Sequence, residues 1–323
     1  MKLLHDELWQ RIGELALTSM LYEVSATPKP GLVDRSNCGA HLDMDFFTFM
    51  TSASSLRQFF DSAAETGWKA GSASRDPLSV LHALMKLGID GERRMFRATR
   101  GVNTHKGMIF SLGLVACAAA FVARQNTLAP EAVTETAAMY GRHFFLKKYG
   151  MEYSALNSGN TEEIDTSPTA VSARNARLQT RRQNTSPVTR GEEVYVRYGL
   201  LGVSGETAAG FPSVLRIGLP AYRACRAINM PTNDALVETL LHLIAKMDDT
   251  NILGRHDLST LCYAQRAAAQ TLTLGGMRTD EGKAAIEALD RDFINRWISP
   301  GGSADILAIT HFLYELPHLL KQG

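Results

Sequence analysis

Apolar residues recur along this chain at intervals of three and four, the spacing that brings side chains to one face of an α-helix. Leu4, Leu8, Ile12 and Leu15 form one such stripe, and Phe46, Met50, Ala53, Leu56 and Phe60 form a second. Alternating β-branched runs, the mark of a strand, are scarce. The punctuation agrees: Asp76-Pro77 supplies a cap and a first-turn proline, Pro130 stands near another helix opening, and Gly67 suits the position just past a helix end. The expected fold is all-α, a single multi-helix globular catalytic domain over residues 1–323. Ordinary helix lengths give roughly ten to twelve helices.

Two segments depart from the amphipathic pattern. Met108 to Ala123 is nearly apolar throughout, yet it is shorter than the ~18 to 20 residues a membrane-spanning helix needs, and Ser111 and Gly113 interrupt it. It reads as a buried core helix, and no membrane partner is expected. Ser154 to Arg190 has no aromatic residue, and Ser, Thr and Asn fill 15 of its 37 positions. That leaves too little apolar surface to offset the entropy of ordering, so the segment is expected to be a disordered surface insertion. Its five arginines are as readily solvated as bound to an anion.

Composition narrows the partners. A chain of 323 residues can bury roughly 75% of the surface it exposes when unfolded, so a large core is available. Lysine plus arginine (34) nearly balance aspartate plus glutamate (33), which argues against nucleic acid as a partner and makes any phosphate site a local one. The start, Met1 to Glu7, carries acids where a secretory signal needs an apolar run. Cys38, Cys117, Cys225 and Cys262 lie far apart with no paired spacing. Both features lead to a cytoplasmic expectation, with a homo-oligomer left open.

The candidate chemistry lies in polar, glycine-containing segments beside apolar helical stretches. Pro28 and Pro30 stiffen the chain around Lys29, which suits a phosphate or, equally, a solvated turn. His41, Asp43 and Asp45 alternate, so in an extended segment they share a face fit for magnesium; Asp43 can instead cap the helix beginning near Asp45. Asn103, Thr104, His105 and Lys106 precede a helix starting near Gly107, with Thr104 as its possible N-cap and His105 as a phosphate or ribose contact. Gly202 and Gly205 flank a turn that admits close backbone approach, with Glu206 projecting from the next element. Asp248, Asp249 and Asn251 follow the stripe Leu240, Leu241, Ile244, Ala245, and acids at a helix C-terminus oppose its dipole unless a ligand or metal compensates. Gly301-Gly302-Ser303 opens a final apolar helix with Ser303 as its cap, followed by Asp305. No G-x-x-x-x-G-K-[ST] or G-x-G-x-x-G segment occurs, which disfavours P-loop and dinucleotide-binding chemistry.

Taken in order, several of these segments resemble the triphosphoribosyl-dephospho-CoA synthase family. They are Glu23-Val24-Ser25-Ala26 through Pro28 to Asp34, Gly39 to Asp45, Arg100 to Gly107 with Ile109 and Phe110, Gly210-Phe211-Pro212-Ser213-Val214, Asp249-Thr250-Asn251, and Gly301 to Asp305. The sequence departs from the family pattern at Ser204, where an arginine is usual, and at His256-Asp257, which replace a glycine pair. The resemblance implies an all-helical transferase that moves the triphosphoribosyl group of ATP to the 2′-hydroxyl of 3′-dephospho-CoA and releases adenine. The product would be the prosthetic-group precursor of citrate lyase, or of malonate decarboxylase in a related branch, handed on toward an acyl carrier protein. An oxocarbenium-like transition state needs carboxylates, for which Glu206 and Asp249 are the catalytic candidates. Asp43, Asp45 and Asp305 would hold Mg2+. Lys29, Asp34, Arg35, His41, Asn103, His105, Lys106, Gly205, Asn251 and Ser303 would bind substrate and phosphate. Two rival readings are a nucleotide N-glycosidase and a non-catalytic, coenzyme-binding helical regulator.

Overall fold

The computed structural model describes residues 7–73, 76–149, 167–181 and 189–320. Leu4 and the acid-containing start, residues 1–6, lie outside the described residues. Among the described residues there are fifteen α-helices and no strand. They are α1 (Leu8–Ser25), α2 (Phe46–Ser55), α3 (Arg57–Ala73), α4 (Pro77–Ala98), α5 (Lys106–Ala123), α6 (Pro130–Tyr149), α7 (Pro168–Arg181) and α8 (Arg190–Tyr198). The second half adds α9 (Gly202–Ala209), α10 (Leu219–Ala227), α11 (Thr232–Lys246), α12 (Thr250–Arg255), α13 (Leu258–Thr273), α14 (Asp280–Asn295) and α15 (Gly301–Glu315).

α5 is the axis of the core. Fourteen of its residues are buried, as expected of a helix that is apolar on every side. It is long and apolar enough to cross a membrane by length and composition, and 78% of it is buried inside the protein. α3 packs so tightly on it that a Cβ at Gly67 would stand 1.9 Å from the Cys117 carbonyl oxygen. Gly67 therefore serves helix contact inside α3 and not a helix end, which corrects the sequence reading. One continuous apolar core runs from Leu8 to Leu316, with a smaller cluster of Phe145, Tyr149, Tyr195 and Ala208 beside it.

The helix count exceeds the expected ten to twelve because single stripes split. Phe46 to Phe60 reads as one face, yet the chain turns at Leu56, whose side chain stays buried while α2 ends and α3 begins. Asp76 caps α4 through the Ser79 N–H, with Pro77 opening the helix as the sequence indicates. Within Ser154 to Arg190, Pro168–Arg181 is helical, against the expectation of disorder over the whole insertion. Ala170, Ala173 and Ala176 supply helix propensity there. Arg174 donates to the carbonyls of Val196 (2.8 Å) and Arg197 (3.2 Å), meeting acceptors that the end of α8 leaves open. Residues 154–166 and 182–188 of the insertion lie outside the described residues.

Candidate active site

Asp249 is buried in the turn between α11 and α12. Its Oδ1 accepts from the backbone N–H of Asn251 (2.9 Å) and Gly302 (3.2 Å). Its Oδ2 accepts from the Ser303 backbone N–H (2.7 Å) and hydroxyl (2.9 Å). One carboxylate thus satisfies the opening N–H groups of two helices, α12 and α15, and fixes their starts side by side. This corrects two sequence readings. Met247 has already left α11 in an extended conformation, so Asp249 is an N-cap favoured by the dipole of α12 and not an acid opposing the dipole of α11. Ser303 donates to the cap and is not itself the cap.

Two more helices begin at the same place. A Cβ at Gly202, whose φ is +51°, would lie 2.5 Å from Thr250 Oγ1, so the start of α9 abuts that of α12. A Cβ at Gly107 would lie 2.0 Å from Asp305 Oδ2, so the start of α5 abuts the first turn of α15. Asn251 completes the ring, its side-chain nitrogen 3.2 Å from a Cβ placed at Gly301. The start of α9 has no side-chain cap, which leaves its first N–H groups available to an anion. Gly202 and Gly205 therefore belong to α9 itself and do not flank a turn.

Asp305 projects into this meeting point. Among the described residues its carboxylate has neither a hydrogen-bond donor nor an ion-pair partner. Burial, then the negative charges of Glu23 and Asp249, hold it well above the usual carboxylate range. Glu23, on α1, is buried against the Lys29 ammonium; desolvation raises its carboxyl and Lys29 opposes the rise. Lys29 is thus in place beside the carboxylates, with its charge already met by a residue that the spacing analysis did not single out. Asp34 shapes the loop that carries it. It accepts from the Thr27 hydroxyl (2.7 Å) and from the N–H groups of Lys29 (2.9 Å), Ser36 (2.7 Å) and Asn37 (3.1 Å). Arg35 turns outward to Asn233 at 3.1 Å.

His105 is buried, with Nδ1 2.7 Å from Ser52 Oγ, which also accepts from the Thr104 hydroxyl at 2.6 Å. Among the described residues its Nε2 has no hydrogen-bond partner. Burial first and the Lys29 charge second push the ring down to about 3, so it is neutral at ordinary pH. Asn103, and not Thr104, accepts from the Lys106 N–H (3.3 Å), and Lys106 pairs with Glu92 at 2.9 Å.

The remaining predicted residues have neighbours of their own. His41 Nε2 is 3.0 Å from Ser299 Oγ. Asp43 is exposed, 3.9 Å from His41 Nδ1. Asp45 forms a capping box with Thr48 at the start of α2, and those hydrogen bonds hold its carboxyl below the ordinary range. Glu206 accepts from the Ser213 hydroxyl (2.5 Å) and N–H (3.2 Å), and burial raises its carboxyl against those bonds. No contact joins Asp43 or Asp45 to Asp305. Among the described residues no group of three or more His, Cys, Asp or Glu side chains is placed to hold a metal ion. The expected magnesium set of Asp43, Asp45 and Asp305 is therefore not assembled, because capping consumes Asp45 and the other two face different neighbours.

Helix N-termini gathered around carboxylates define an all-helical protein with a polar centre where four helices begin. The family model described as ATP:dephospho-CoA triphosphoribosyl transferase (CitG) matches residues 9–323, and the chain belongs to that family. It is 39% identical over 310 residues to a "Probable 2-(5''-triphosphoribosyl)-3'-dephosphocoenzyme-A synthase" of Vibrio cholerae serotype O1 (strain M66-2), covering 96% of this chain and 89% of the relative. A protein of the same description from Citrobacter koseri is 38% identical over 303 residues, covering 94% and 89%. No solved structure matches the chain.

Proposed function

We infer that this chain transfers the triphosphoribosyl group of ATP to the 2′-hydroxyl of 3′-dephospho-CoA and releases adenine. Beyond family membership, the observation that supports this is the unpartnered Asp305 carboxylate at the junction of four helix starts. The reaction breaks the bond between ribose C1′ and adenine and forms one between C1′ and the incoming hydroxyl oxygen; the hydroxyl proton ends on adenine. Developing positive charge at the sugar is stabilised by the negative charge around Asp305. A carboxylate of raised proton affinity is the better acceptor for the hydroxyl proton. Asp249 acts as a positioning residue, since its lone pairs are directed at four donors. The phosphates face the open start of α9. Magnesium bound with the nucleotide would supply positive charge to the triphosphate.

The product serves as the prosthetic-group precursor of citrate lyase and passes toward an acyl carrier protein in the cytoplasm. Incubating the protein with ATP, magnesium and dephospho-CoA tests the transfer. Free adenine should appear in equal amount to coupled product and only when dephospho-CoA is present. Adenine released without the acceptor would mean hydrolysis, and no adenine under either condition would mean a binding protein.

A further inference from the structure

Three of the four cations that the sequence offers to phosphate are engaged elsewhere. Lys29 is buried against Glu23, Arg35 bonds Asn233, and His105 is held neutral. Lys106 alone is poorly matched to a triphosphate, and it already has Glu92 at 2.9 Å. A second cation stands beside it. Lys148 lies in the last turn of α6, where its stem is partly buried. Phe110, one turn after Lys106 on α5, packs on Phe144, one turn before Lys148 on α6, with ring centroids 4.5 Å apart. The two helices run in opposite directions along this seam, so the aromatic pair brings the two lysine stems to the same end of it.

Lys148 makes no ion pair among the described residues. Its ammonium sits 5.1 Å from the Tyr149 ring centroid, and the Tyr149 hydroxyl is close enough to Ser204, in the first turn of α9, for that side chain to oppose the rise that burial causes in its pKa. Burial disfavours the protonated form of Lys148 most, Glu192 favours that form, and the charge of Lys106 disfavours it less than Glu192 favours it. Two lysines thus share a partly desolvated seam, and Lys148, with no carboxylate in ion-pair contact among the described residues, has donors left for an anion.

We propose that Lys148 and Lys106, at the end of the seam between α5 and α6, form a subsite for the polyphosphate arm of a bound nucleotide. The inference rests on the transferase reading only for the identity of the two sources, the triphosphate of ATP and the diphosphate of dephospho-CoA. Titration calorimetry with inorganic tripolyphosphate, ATP and dephospho-CoA tests it on the intact protein and on Lys148→Met and Lys148→Arg. The tripolyphosphate Kd should rise roughly tenfold in Lys148→Met, the loss of one charge-assisted contact, and recover in large part in Lys148→Arg. The nucleotide whose Kd rises in parallel is the one whose phosphates occupy the subsite. Unchanged affinity for all three probes in a Lys148→Met protein with native circular dichroism overturns the proposal, as does wild-type protein that binds none of them. Should Lys148→Met lose its helical signal, Lys148→Gln carries the same comparison. Adenine release by the wild type is followed in the same preparation. Absent turnover with phosphate binding intact would count against the transferase reading alone.

Discussion

Burial and the Arg255 guanidinium push the His41 ring down to about 4, with Asp43 pulling the other way. An unfolded chain's imidazole takes up its proton near pH ~6.5. Between that point and about 4 the unfolded state therefore binds more protons, and the contribution of His41 to stability falls as pH falls. NMR titration should find the His41 ring neutral from pH about 8 down to about 5, with its midpoint moved upward in Arg255→Gln. A wild-type midpoint near 6.5 would contradict this environment. Single residues were unevenly legible in the sequence. Glu23 carries a visible signal, an acid on the same face of α1 as Ile12, Ala16, Ser19 and Met20, because a charge on an apolar stripe has to be paired when that stripe is buried. Lys148 carries none, since a lysine near a helix end is ordinarily a solvated one.

Helices were readable wherever apolar spacing and a cap agree, as at Asp76-Pro77 and along α5. The short ones were not, because α9 and α12 hold too few residues to show a period and are stabilised by contacts from elsewhere. Asp249 supplies those contacts for α12 and α15. Asp249→Asn keeps only one acceptor oxygen, so caps on two helices weaken at about 1 kcal/mol each. Chemical denaturation should show a loss of about 2 kcal/mol, and a variant as stable as wild type would remove the double cap from the account. The departures from the family pattern also have local explanations. Asp257 caps α13 through the Thr260 N–H at 2.9 Å, and Ser204 is buried beside Tyr149.

The molecule as a whole brings together positions near 107, 202, 249 and 302, and periodicity cannot show that. A stripe reveals which face of a helix is buried but not which partner covers it, so the all-α fold was legible while the convergence of helix starts was not. The same limit explains the magnesium set: alternation placed Asp43 and Asp45 on one face, and only the fold shows that Asp45 is a cap and that Asp305 meets the start of α5 at Gly107. The proposed transfer depends on chemistry at Asp305. The most direct measurement is single-turnover adenine release by Asp305→Asn with both substrates saturating. The rate should be lower by at least ~10²-fold in a protein with wild-type helicity. A rate close to wild type would contradict that dependence.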